Sequence, residues 1–122
     1  MLVVDDNRDA ARSLAEIVEM LGHTTEVAYD GPSAIEKSSA NPPDIVLCDL
    51  GLPGMSGYEV ARALRARGVG RMQIFAVSGY AQPEDVRKAA EAGFDGHVAK
   101  PTNIADIERI LHESEPQRAS KN

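Results

Sequence analysis

With 122 residues, 43% of them hydrophobic and only 4% aromatic, the chain suits a single domain whose core rests on Val, Ile, Leu and Ala. Thirteen basic against nineteen acidic residues leave a net charge of −6, which argues against gripping nucleic acid and is compatible with a cation site or a basic partner surface. One cysteine, Cys48, excludes an internal disulfide; with no signal pattern after Met1 and no apolar run of transmembrane length, a soluble cytoplasmic protein without a membrane partner is expected.

Met1-Leu2-Val3-Val4 reads as a buried strand that stops at Asp5-Asp6-Asn7. Ala10, Ala11, Leu14, Ile17, Val18 and Leu21 recur at helical steps, and Gly22 fits the cap that follows. Thr24–Ala28 has strand composition, and Asp30-Gly31-Pro32 opens a second helix that Asn41-Pro42-Pro43 ends. Ile45-Val46-Leu47-Cys48 is a continuous apolar run, as expected of a central strand covered on both faces, and Asp49 closes it.

Leu50 to Gly57 is a loop rich in Gly and Pro, followed by a helix with Val60, Ala61 and Leu64 inward that ends near Gly68. Ile74-Phe75-Ala76-Val77 is the fourth strand, ending at Ser78-Gly79. Pro83-Glu84-Asp85 opens a helix to Ala92 capped by Gly93, and His97-Val98-Ala99 forms a short fifth strand before Lys100-Pro101. A last helix spans about Asn103 to Leu111; the polar remainder from Glu113 to Asn122 is expected to fray. A domain over 1–112 and a tail over 113–122 follow. Five alternations of strand and helix imply βαβ units and a doubly wound, five-stranded parallel sheet with five helices.

The interrupting polar residues fall in similar places: Asp5 and Asp6 end strand one, Asp49 strand three, Ser78 strand four and Lys100 strand five. In a doubly wound sheet those carboxyl ends share one edge, where ligands bind. Three converging carboxylates repel, and a hard cation such as Mg²⁺, which prefers oxygen ligands, relieves that repulsion. Lys100 offers a charge and Ser78 a hydroxyl for a phosphoryl oxygen, and an aspartate such as Asp49 is able to accept a phosphoryl group covalently.

Val3-Val4-Asp5-Asp6-Asn7, the run from Val46 through Asp49 and Leu50-Gly51-Leu52-Pro53-Gly54 to Tyr58, Val77-Ser78-Gly79 and Val98-Ala99-Lys100-Pro101 together resemble the response regulator receiver domain. The likeness runs from about Leu2 to Leu111. The loop after Asp49 and the Ser78-Gly79-Tyr80 stretch, with Gln82-Pro83-Glu84-Asp85, are most similar to receivers of hybrid sensor histidine kinases.

The resemblance implies a flavodoxin-like, CheY-like fold in a two-component or phosphorelay pathway. It makes Asp49 the phosphoacceptor, with Mg²⁺ on Asp6, Asp49 and the Gly51 carbonyl and with Asp5 acting through water. Ser78 becomes the hydroxyl that moves on activation, Lys100 pairs with the phosphoryl group, and the Lys100-Pro101 bond is expected to be cis. The donor would be a histidine kinase or histidine phosphotransfer protein. The output face would be Pro83 to Leu111, contacted by an output protein or domain. His97 stands where the family usually places a Tyr or Phe that swings with the hydroxyl; an imidazole there brings its own proton equilibrium.

The first strand begins at Met1 as if upstream residues had been removed, so a piece of a larger kinase is one expectation and a domain acting alone through protein contacts the other. Such a domain is no enzyme beyond self-phosphorylation and autodephosphorylation. Two other functions compete. A Mg²⁺ phosphatase with an aspartyl-phosphate intermediate would usually carry an acid where this chain has Gly51, and a degenerate receiver would serve only as a scaffold. Gly51, Gly54 and Gly57 lack the dinucleotide spacing and read as turn formers. His23, His97 and His112 with Cys48 make no zinc spacing; His23 and His112 read as surface residues and Cys48 as a buried apolar one.

Overall fold

The computed structural model describes residues 1–67, 72–79, 82–100 and 102–119, with side chains through 112. Its elements run β1 (Leu2–Val4), α1 (Arg8–Met20), β2 (Glu26–Ala28), α2 (Gly31–Ala40), β3 (Ile45–Asp49), α3 (Gly57–Ala66), β4 (Gln73–Ser78), α4 (Pro83–Ala92), β5 (Gly96–Ala99) and α5 (Ile104–Ala119). The strands form one sheet in the order β2-β1-β3-β4-β5, and every pairing is parallel. The order reverses between β1 and β3, so the switch point of this doubly wound sheet lies there.

Strand side chains alternate between faces, and the two cores follow that alternation. Leu2, Val4, Val46, Cys48, Ile74 and Ala76 pack under Ala34 of α2, Val60, Ala61 and Leu64 of α3, and Ala89 and Ala92 of α4. Val3, Ile45, Leu47, Phe75, Val77 and Val98 face the other way, onto α1 and α5. The continuous apolar reading of β3 holds because both faces are covered: all five of its residues are buried.

Local chemistry sets the helix ends. Asn7 Oδ1 accepts the Ala10 N–H at 3.1 Å and Asp30 Oδ1 the Ser33 N–H at 2.7 Å, so α1 and α2 begin at side-chain caps. Ser56 and Glu59 reciprocate at the start of α3, with Glu59 N–H to Ser56 Oγ at 3.3 Å and Ser56 N–H to Glu59 Oε1 at 3.4 Å. Gly93 ends α4 at φ 111°, a left-handed conformation that an L side chain rarely adopts.

Several boundaries differ from the sequence reading: β1 begins at Leu2 rather than Met1, and β4 gains Gln73 and Ser78. β2 starts at Glu26 rather than Thr24, because Glu26 pairs with Leu2, where β1 begins. β5 gains Gly96, which pairs with Phe75. The last helix runs to Ala119 instead of fraying from Glu113. Ile110 and Leu111 are its last buried residues among those whose side chains are described, and the helix runs on into the polar stretch of the sequence. The expected helix end near Gly68 falls outside the described residues; among the described ones α3 spans Gly57–Ala66.

Arg65 ties the opposite edge of the sheet together. It donates to the carbonyls of Gly93 at 2.9 Å and Met72 at 2.6 Å, and to Asp95 Oδ2 at 2.6 Å. Asp95 Oδ2 also accepts the Ile74 N–H at 2.8 Å. One guanidinium therefore joins α3, the start of β4 and the turn after α4, which a fixed planar fork of donors does well.

Candidate functional site

The carboxyl ends of β1 and β3 bring the acids together. Val4 lies beside Cys48 in the parallel register, so the next residues along, Asp5 and Asp49, emerge side by side. Asp5 is only 5% exposed and Asp49 8%, whereas Asp6, one residue on, is exposed. Single carboxylate oxygens of Asp5, Asp6 and Asp49 all lie within 4.8 Å of one another. Backbone donors orient two of them: Asn7 N–H reaches Asp5 Oδ1 at 2.9 Å and Gly51 N–H reaches Asp49 Oδ1 at 3.1 Å.

Lys100 enters from the end of β5. Its Nζ lies 3.2 Å from Asp5 Oδ2 and 3.3 Å from Asp49 Oδ2. Burial alone would pull this ammonium down, but the Asp49 and Asp5 carboxylates outweigh it and hold Lys100 above its ordinary value of 10.5. Lys100 N–H donates to the Ser78 carbonyl at 2.8 Å, so the ends of β4 and β5 stay together and Ser78 stands on the same edge as the acids.

These residues suit a Mg²⁺ ion. The ion asks for oxygen ligands in octahedral array, and one carboxylate oxygen from each of Asp5, Asp6 and Asp49 lies within 4.8 Å of the other two. Lys100 offsets only part of the negative charge gathered there. Gly51 borders Asp49: its N–H donates to Asp49 Oδ1, and a Cβ built on it would lie 3.8 Å from the same oxygen.

A close backbone approach supports the Asp49 turn. A Cβ on Gly57 would strike the Asp49 carbonyl oxygen and lie 2.8 Å from Leu50 Cα. Both neighbours are backbone atoms that have no rotamer by which to yield. Gly57→Ala is therefore expected to cost roughly 3 kcal/mol by overpacking and to weaken metal binding at Asp49. Urea unfolding with a Mg²⁺ titration measures both; an unchanged midpoint would remove Gly57 as a support of the site.

Cys48 lies inside β3 with its thiol pushed up to about 12, first by burial and then by Asp49 and Asp5. It stays protonated and is no nucleophile, in keeping with its reading as a core residue. His97 pairs with Ala76 on the face opposite Val98; it is half-buried, and its Nε2 has no hydrogen-bond partner among the described residues. The expected cis bond at Lys100-Pro101 and the Tyr80 position lie outside the described residues. The sequence reading placed Asp5, Asp6, Asp49, Ser78 and Lys100 on one edge, and all five stand there. It missed that α1 also lines the site: Ala10, Ser13 and Leu14 border a cavity that reaches Asp5 and Lys100. Their helical spacing gave only a core signal.

Known proteins are similar to this chain. The chain spans 82% of its length at 36% identity with the gliding motility regulatory protein of Myxococcus xanthus, and 91% at 33% with the sensor histidine kinase RcsC of Escherichia coli K12. It covers only 13% and 12% of those two proteins. A solved CheY-like receiver domain from Methylobacillus flagellatus superposes with a TM-score of 0.84 at 35% identity, over 93% of this chain and 95% of that one. The family description "Response regulator receiver domain" matches residues 1–112. With the sheet order, the acidic edge and these relatives in agreement, the chain belongs to the response regulator receiver family and is a receiver domain of two-component signalling.

Proposed function

We propose that Asp49 accepts a phosphoryl group from a phosphohistidine of a histidine kinase or phosphotransfer protein, and that the change is read on the face from Pro83 to Leu111. The observation that carries this reading is the Lys100 ammonium, held 3.3 Å from Asp49 Oδ2 and 3.2 Å from Asp5 Oδ2 beside the exposed Asp6. A lysine placed there balances a carboxylate before transfer and a phosphoryl oxygen after it.

In the step itself an Asp49 carboxylate oxygen bonds to phosphorus as the P–N bond to the donor imidazole breaks, and the imidazole nitrogen keeps the electron pair. Asp6, Asp49 and the Gly51 carbonyl would hold Mg²⁺, with Asp5 assisting through water. Bound Mg²⁺ neutralises charge on the transferring oxygens. Lys100 pairs with the phosphoryl group, and the Ser78 hydroxyl turns toward it. His97, half-buried on the strand next to Ser78, then follows into the space near α4 and biases the α4-β5-α5 surface. The setting is cytoplasmic, since the cofactor and the donor both belong there; no helix among the described residues is long and apolar enough to cross a membrane.

Incubation with acetyl phosphate, with and without Mg²⁺, followed by intact mass, tests the reading. One phosphate adduct per chain that requires Mg²⁺ and decays with time is the expected result. Absence of an adduct from both acetyl phosphate and a phosphorylated histidine protein would overturn it.

A further inference from the structure

α4 is held unevenly along its length. From Pro83 to Lys88 no side chain is buried and only Asp85 is half-buried, whereas the buried residues Ala89 and Ala92 both lie in the second half. In the first turn Gln82 N–H donates to Asp85 Oδ2 at 3.1 Å, and the Asp85 and Val86 N–H groups donate to the Gln82 carbonyl. These bonds join the helix to itself and travel with it. A segment with so little buried surface shifts at low cost.

The C-terminal end of α4 is fastened from another helix. α4 carries Glu84 and Asp85 in its first turn but no basic residue in its last, and Arg65 of α3 supplies the missing cation there. Its Nε donates to the Gly93 carbonyl at 2.9 Å, while its terminal nitrogens reach the Met72 carbonyl and Asp95 Oδ2. Asp95 is bonded in turn to β4: its N–H donates to the Ile74 carbonyl at 2.6 Å, and its Oδ2 accepts the Ile74 N–H at 2.8 Å. The stem of Arg65 fits closely as well, since a Cβ built on Gly93 would lie 2.8 Å from Arg65 Cγ. With side chains 34% and 41% exposed, the Arg65–Asp95 pair adds little by charge alone. The planar fork across two carbonyls is what fastens the end.

We propose that Arg65 is the pin on which α4 turns: it holds the end of the helix and the turn into β5 in place, so that phosphorylation of Asp49 displaces the half from Pro83 to Lys88. This rests on the phosphoacceptor reading of Asp49 and names the moving part of the Pro83 to Leu111 face. Ser78 ends β4 and α4 begins at Pro83, so a change at the Ser78 hydroxyl reaches the loosely packed half of the helix first. Arg65 stands at the sheet edge opposite Asp49 and acts only by positioning.

The test is NMR on wild type and Arg65→Met, which keeps an unbranched stem against Gly93 and removes the donors. Before phosphorylation, the Gly93, Phe94 and Asp95 N–H groups of the variant should exchange about tenfold faster, as the loss of a charged hydrogen bond implies. Asp85 and Val86 should keep their rates. With Mg²⁺ and acetyl phosphate, the wild-type amide resonances of Asp85 to Lys88 should shift more than those of Gly93 to Asp95. In Arg65→Met the shifts should spread through Gly93 to Asp95. Should that variant not fold, Arg65→Lys serves the same comparison, because a lysine keeps the charge but lacks the fork that spans three acceptors.

Wild-type shifts as large at Gly93 to Asp95 as at Asp85 to Lys88 would overturn the pin and leave Asp49 as phosphoacceptor. A variant that matches wild type in its exchange rates or in its shift pattern would do the same. No adduct in either protein would sink the phosphoacceptor reading instead, and the turn of α4 with it.

Discussion

Asp49→Asn is expected to abolish the phosphate adduct, reducing its formation by more than ~100-fold in intact-mass measurements with Mg²⁺ and acetyl phosphate. The amide has nearly the shape of the carboxylate, so the Gly51 N–H that now reaches Asp49 Oδ1 at 3.1 Å keeps an acceptor. What disappears is the anionic oxygen that would attack phosphorus, together with one of the three carboxylates gathered for the metal. Mg²⁺ affinity should fall in parallel. Folding should be nearly unaffected, because Lys100 retains Asp5 at 3.2 Å. A full adduct in this variant, carried by Asp6 or Asp5, would refute the assignment of Asp49.

Lys100→Met should produce the largest electrostatic effect. It leaves Asp5 and Asp49, both nearly buried, with no cation between them. Removing one partner from a buried pair costs about 3–5 kcal/mol, but the Lys100 side chain is 30% exposed, so solvent screening lowers the expected loss to roughly 2 kcal/mol at neutral pH. Mg²⁺ should then stabilise the variant more than the wild type, since the ion replaces the missing positive charge.

The pH dependence has a definite sign. Lys100 is held above its ordinary 10.5 in the folded protein, so its contribution is present in full below 10.5 and is lost as pH rises through the folded value. Wild type should therefore lose stability on alkaline titration above 10.5 by an amount that Lys100→Met lacks. Urea midpoints measured on both proteins at neutral and alkaline pH decide the matter. Parallel alkaline losses in the two would show that Lys100 does not stabilise the fold through these carboxylates.

The order of elements was legible in the chain because each is a local pattern. The apolar run Ile45 to Cys48, the three- and four-residue steps through Leu14 and Val18, and the break at Gly93 all depend on neighbours within a few residues. The polar closures at Asp5, Asp49, Ser78 and Lys100 were visible for the same reason, and parallel alternation sends such closures to one edge. Where local pattern and packing part company, the reading slipped. β2 begins where its partner β1 begins, and α5 runs past the apolar stripe that ends at Leu111 in the sequence.

Only the tertiary structure decided how those pieces meet. The order β2-β1-β3-β4-β5 puts the switch point between Asp5 and Asp49, and no local pattern encodes which strands become neighbours. The same holds for the Lys100 ammonium bridging two acids from different strands, for Arg65 gathering Met72, Gly93 and Asp95, and for Gly57 lying against the Asp49 backbone. The sequence by itself determined which residues carry charge, which are apolar and where the chain turns. The distances that make three carboxylates and one lysine a single site arise from packing between segments far apart in the chain, where sheet order and side-chain volume set the geometry.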